Sequence, residues 1–200
     1  MSSDSASRAP APGALGLVQQ FLNSIDIASG TDALRTPADV TAWFGERRLF
    51  ARPGQPLPAD VPALGDAEFG RVLQLRTALR EIAEGNLTGR SAPAAIETLN
   101  RIAAGVPMAV RFDADNATLL TPLGEGAEVA IGWILAITFD AMNTGTWQRL
   151  RLCAATDCRA AFYDSSRNRT GTWCNMATCG NRAKVRAYQQ RQRGHPPLPA

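Results

Sequence analysis

Histidine occurs once in the 200 residues, at His195 in a Gly-His-Pro-Pro run. A histidine triad or histidine acid–base pair is therefore not available to a folded region. Cysteine is absent from the first 152 residues, and no Cys-x-x-Cys dithiol occurs anywhere, so a redox motif of that type is excluded. No Gly-rich phosphate loop of the Walker or dinucleotide kind is present. Carboxylates fall singly rather than in pairs. The longest apolar run, residues 129–139, is too short for a membrane span. Residues 1–12 are rich in Ser, Ala and Pro, with one arginine and no apolar h-region. A secretory signal is not expected there. The expectation is a cytoplasmic protein that does not engage membranes, with disordered tails at 1–12 and 194–200.

What is present is ordinary in bulk and uneven in distribution. Hydrophobic residues make up 45% and charged residues 20%, which suits a folded domain of this length with a small appended module. The net charge of +3 hides a split. From Arg149 onward ten Lys+Arg face two acids, Asp157 and Asp164; residues 1–148 carry eleven Lys+Arg against sixteen acids. Such asymmetry points to two modules and to an anionic partner for the basic one. All four cysteines lie in the basic part.

The first module reads as mostly helical. Leu15, Val18, Leu22 and Ile25 recur at helical spacing within 13–29, with Gly30-Thr31-Asp32 as a turn. Thr36-Pro37-Ala38-Asp39 is a helix start, with Thr as cap and Pro in the first turn. Residues 51–64 hold Pro53, Pro56, Pro58 and Pro62 and read as a loop. Asp66 opens a longer helix through Leu79 and Ile82, which Gly85-Asn86 should end. Ser91-Ala92-Pro93 opens the next. Alternation in 108–112 and 118–121 predicts a β-hairpin. Residues 127–149 read as the central core helix. Trp43 and Trp133 read as core residues rather than pocket walls, and Asp26 as a helix-terminal acid or cap.

The cysteines fall as Cys153-x4-Cys158 and, fifteen residues on, Cys174-x4-Cys179. Two short-spaced pairs at this separation match a tetrahedral four-thiolate zinc site. Two disulfides fit poorly with a chain lacking a secretory signal. An iron–sulfur cluster uses other common spacings. Residues 160–164 look strand-like, 165–171 turn-rich and basic, and 172–174 able to return as a second strand. Residues 181–193 are a helix candidate, with Val185 and Tyr188 expected to face the metal core. The apolar supply of this segment is too small to order some 45 residues alone. Zinc, worth about 10–16 kcal/mol in finger peptides, makes up the difference. The fold class is thus α+β: a helical N-terminal domain with one β-hairpin, then a four-cysteine module laid out as knuckle, hairpin, knuckle, helix. One structural Zn2+ is expected on Cys153, Cys158, Cys174 and Cys179.

The string Arg151-x-Cys153, Cys158, Phe162-Tyr163-Asp164, Ser166-Arg167-Asn168, Arg169, Trp173-Cys174-x-Met176 and Cys179-Gly180-Asn181-Arg182-x-Lys184, then Tyr188 and Arg191, resembles the CGNR zinc finger. Leu22-Asn23-Ser24, Asp32-x-Leu34 before Pro37 and Trp43, and Leu75-Arg76-x-Ala78-Leu79-Arg80 resemble the ABATE domain that precedes this finger in stress-induced transcription regulators. The resemblance spans about residues 13–193. It implies zinc at all four cysteines, nucleic-acid binding and a regulatory role. The domains expected are 13–148, regulatory or dimerising, and 149–193, the finger.

Arginine outnumbers lysine nine to one in the basic part, which favours bidentate contacts to phosphate or guanine. Arg159, Arg167, Arg169, Arg182, Lys184 and Arg186 are the candidate nucleic-acid contacts. Arg182 and Arg167 have a structural alternative: bonds to backbone carbonyls, to Asp164 or to the zinc thiolates. Three readings compete. One is a transcription regulator binding double-stranded DNA, with the N-terminal domain forming a homodimer or sensing a small-molecule effector. The second is an RNA-binding protein. The third is a protein-interaction module with a purely structural zinc. An enzyme is not expected, because four thiolates leave no open position on the metal.

Overall fold

The structure, a computed structural model, describes residues 10–52, 55, 58, 63–112, 114 and 118–193. Residues 1–9 of the predicted tail at 1–12, the predicted tail at 194–200, and Pro53, Pro56 and Pro62 of the predicted loop lie outside the described residues. Ala11, assigned to the tail, is instead buried, and its N–H donates to Gln19 at 2.7 Å.

Helix α1 is Leu15–Leu22, and it stops well short of residue 29. The chain turns back at once as a minimal hairpin, β1 (Ile25–Asp26) against β2 (Thr31–Asp32). Local polar side chains outcompete the helix here. Ser24 donates to the Phe21 carbonyl, and Asp26 accepts from the N–H groups of Ala28 and Ser29. Asp26 therefore caps a turn rather than a helix. Helix α2, Pro37–Glu46, starts at the predicted cap: Thr36 accepts from the Asp39 N–H, and the Asp39 carboxylate answers from the Thr36 N–H.

Helix α3, Asp66–Thr88, runs past Gly85-Asn86. Asn86 uses its side chain to bond the carbonyls of Trp147 and Leu150, which offsets its poor helix propensity. The helix ends at Gly89, whose φ of +70° closes the last turn. Helix α4 is Pro93–Ala104, and β3 (Met108–Phe112) pairs with β4 (Thr118–Pro122) in the predicted hairpin. Helix α5, Ala127–Asn143, is the central element. It was expected to reach residue 149, but Gly145 breaks it. A 3-10 turn at Trp147–Arg149 leads into β5, Leu150–Leu152.

Strand β5 pairs with β6, Ala161–Tyr163. The finger's hairpin thus embraces the first cysteine pair, rather than lying between the two pairs; residues 172–174 form no strand. Alternation explains the pairing. Leu150 and Leu152 are buried in the same core as Phe21, Phe44, Leu79 and Ile134, while Arg151 points the other way. Helix α6, Asn181–Arg193, follows a π turn at Met176–Gly180.

Around the aromatic centre, Phe21, Trp43, Phe44 and Phe50 meet in tilted and edge-on contacts at centroid distances of 5.7 to 6.5 Å. Trp43 is buried as expected, and Arg47 lies 3.9 Å over its ring. Trp133 is half-buried and donates to the Ala51 carbonyl. Among the described residues no helix is long and apolar enough to cross a membrane.

The four-cysteine centre and the basic surface

The four sulfurs of Cys153, Cys158, Cys174 and Cys179 all lie within 4.8 Å of one another. Cys158 and Cys174 are 3.6 Å apart, Cys174 and Cys179 3.7 Å, and none is disulfide-bonded. A tetrahedron with Zn–S bonds of about 2.3 Å has edges of about 3.8 Å. The donor set and its spacing therefore fit one structural Zn2+, held by all four thiolates. Cys153 and Cys179 are buried; the other two are half-buried. A small satellite core of Ala155, Phe162 and Trp173 surrounds them.

Hydrogen bonding and burial act unequally on the thiols of Cys153, Cys158 and Cys174. A hydrogen bond from Cys174 holds Cys153 down to about 5. The same bond pushes Cys174 far up. Burial pushes Cys158 up to about 11. A dication removes this competition by stabilising every thiolate at once.

Local structure accounts for the Cys-Gly-Asn-Arg run letter by letter. Asn175 accepts from the N–H groups of Ala177 and Thr178, starting the π turn that presents Cys179. A Cβ on Gly180 would meet the Met176 sulfur and press on the Trp173 ring, so a larger residue there would displace the Met176 side chain. Asn181 donates to the Ala177 carbonyl at 3.1 Å. Arg182 donates to the Cys179 sulfur at 3.3 Å and lies 3.3 Å from Asp157. It offsets part of the −2 charge of a Zn(Cys)4 group, and the Cys179 bond is the main reason its own pKa is raised.

The first knuckle is tied on both sides. Cys153 N–H donates to the Ala160 carbonyl, and Ala154 N–H to that of Thr172. The loop from 165 to 171 is organised by Asp164, which is fully buried. It accepts from the N–H groups of Ser166 (3.0 Å) and Gly171 (2.6 Å) and pairs with Arg151 at 3.3 Å. Burial pushes the Asp164 carboxyl up, but these hydrogen bonds outweigh it and hold it below the usual range.

The six candidate cations separate into two groups. Arg159, at φ 55°, forms an ion pair with Glu84 of α3, and its carbonyl accepts from Arg80. Arg182 and Arg186 share Asp157, Arg186 at 2.6 Å. Arg167, Arg169 and Lys184 are exposed and have no acidic partner among the described residues. Val185 and Tyr188 are not packed into the metal core: they are 55% and 58% exposed.

Sequence reasoning missed Asp157 as the residue that seats α6. Its signal was rarity, one of two acids in the basic part. It also missed the seam between the modules. Asn23 donates to the Ala161 carbonyl (2.9 Å) and accepts its N–H (2.7 Å), while Arg80 donates to the Leu22 and Arg159 carbonyls. These residues stand in the ABATE-like strings, but pattern alone does not show what they touch.

The site and its surroundings define a four-thiolate zinc-finger protein with an N-terminal helical domain. Residues 149–192 match the CGNR zinc finger. Residues 15–144 match ABATE, a family described as "Putative stress-induced transcription regulator". The chain belongs to the ABATE family and ends in a CGNR zinc finger. A search of curated proteins finds no match.

Proposed function

We propose that this protein is a cytoplasmic transcription regulator of the stress-response type whose finger binds double-stranded DNA. In this reading residues 149–193 contact the duplex. Residues 13–148 sense a small molecule or form a homodimer, which would place two fingers on paired half-sites. Neither family description is an enzyme class, and the metal is closed by its four ligands.

The observation that carries the reading is α6 with its neighbouring loop. Residues 181–193 hold five cations and no acid. The described side chains of α6 are exposed on nearly every side. A helix this polar does not project from a body for its own stability; a polyanion supplies the missing partner. Arg167, Arg169 and Lys184 are the foremost contacts, since no carboxylate among the described residues neutralises them. Arg186 and Arg182 orient the helix and add charge, and Arg159 is the most withdrawn of the six.

The test is fluorescence anisotropy on a labelled 30-base-pair duplex and on single-stranded RNA of equal length, across salt concentrations. Duplex affinity should fall steeply with salt, by a log–log slope of about 0.9 per phosphate contact. Changing Arg167, Arg169 and Lys184 together to Glu should weaken it at least tenfold with zinc retained. Lys184 is the only lysine of the chain, so duplex protection of its amine from acylation gives a direct second readout. Tighter, salt-resistant binding to the RNA would favour base stacking on Tyr188 and the RNA reading. No binding to either at moderate salt would leave the interaction-module reading.

A further inference from the structure

A cleft of about 890 Å³ opens between the N-terminal domain and the finger. One wall is the β1 segment, with Ile25 and Asp26. The other is the start of α6, with Arg182, Val185 and Arg186; Ala177 also lines the cleft. Cys158, Cys174 and Cys179 also line it. Four thiolates saturate the metal, so an occupant gains nothing from the ion directly. The volume falls within the range of small-molecule sites.

The two walls are chemically opposite. Arg182 uses one N–H on Cys179 and lies against Asp157, and Arg186 donates one bond to Asp157. A guanidinium has five N–H donors in a fixed fork, and these side chains are 47% and 53% exposed. Spare forked donors fit a carboxylate or sulfonate. Across the cleft, Asp26 turns one oxygen to the Ala28 and Ser29 N–H groups. It remains an exposed acid, which repels a second anion and accepts a donor. Ile25, Ala177 and Val185 add apolar surface to the lining.

We propose that this cleft binds a small amphoteric molecule: an apolar body with one carboxylate or sulfonate toward Arg182 and Arg186, and an amino group toward Asp26. This deepens the sensing role proposed above and rests on that reading for its purpose, though not for its test. Arg186–Asp157 ties the second turn of α6 to the first knuckle. An anion on Arg186 competes with Asp157, so occupancy and the seating of the basic helix are linked.

The probe is 5-aminonaphthalene-1-sulfonate, titrated by fluorescence into the zinc-loaded full chain without nucleic acid. One saturable site is expected. Naphthalene-1,5-disulfonate, a dianion, and 1-naphthylamine, which lacks the anion, should compete at least tenfold more weakly. Val185→Asp and Arg186→Gln should each weaken the probe at least fivefold, with zinc content and circular dichroism unchanged. Asp26→Asn should narrow the gap between the probe and the disulfonate. Absence of saturable binding, equal affinity for the three compounds, or indifference to all three substitutions overturns the proposal. The readout contains no nucleic acid, so failure of the duplex assay and failure of this site are told apart.

Discussion

Single carboxylates govern several of the turns in this protein, and Asp32 is the clearest. Arg76 is nearly buried and reaches both Asp32 oxygens at 2.6 Å, while also donating to Ser24. Partial burial pushes the Asp32 carboxyl up. The bonds from Arg76 and from the Leu34 N–H outweigh it, and the net value lies below the ordinary one. A lowered carboxyl releases its proton more readily when folded. Its contribution is therefore full above the unfolded value, near 3.8, and is lost as pH falls through the lower folded value. Asp32→Asn should cost about 3 kcal/mol at pH 7 by leaving the Arg76 charge buried and unpaired. In urea denaturation the gap to wild type should shrink below pH 4. A gap unchanged at pH 3 would place the loss elsewhere than in the ion pair.

At the scale of elements, the seam is a strand edge closed by a side chain. Strand β6 has β5 on one side only. On its other side Asn23 presents an amide that pairs with Ala161 as a neighbouring strand would. Gln19 adds a second bond to the same carbonyl at 3.3 Å. Asn23→Asp removes the donor and turns a carboxylate toward that carbonyl. A loss of about 2–3 kcal/mol is expected, read as a lower urea midpoint. Stability within about 0.5 kcal/mol of wild type, the usual scatter of surface changes, would show that the edge needs no cover.

Across the whole molecule the zinc site and the helical core are mechanically continuous. Leu150, Leu152 and Ala161 belong to the core built by α1, α3 and α5, and Arg80 and Glu84 hold Arg159 beside Cys158. Metal binding energy acquired by the finger therefore reaches the N-terminal domain. Cys174→Ser should abolish the bound zinc equivalent and lower the melting temperature of the entire chain in one transition. Two transitions, with the N-terminal helices melting at the wild-type temperature, would show instead that the modules fold independently.

Much of this was legible in local signals. Thr36-Pro37-x-Asp39 announced its capping box because a cap needs only four consecutive residues. The cysteine pairs announced their metal because thiolates cluster at that spacing for few other reasons. The alternating strands at 108–112 and 118–121 were equally plain. Less was visible where neighbours in space override neighbours in sequence. Asn86 stays helical because carbonyls from residues 147 and 150 satisfy its side chain. Residues 172–174 yield their place in the hairpin to Leu150–Leu152, whose leucines have a core to enter.

Sequence alone determined the ligand set, the helical character of the first module and the sign of the C-terminal charge, since these depend on residue identity and short-range spacing. Tertiary structure alone decided which cations are spent and which stay free. Arg159, Arg182 and Arg186 meet acids 75, 25 and 29 residues away, whereas Lys184, beside two of them, meets none among the described residues. A charge's partner is set by distance through space, and no pattern along the chain encodes that distance until the chain has folded.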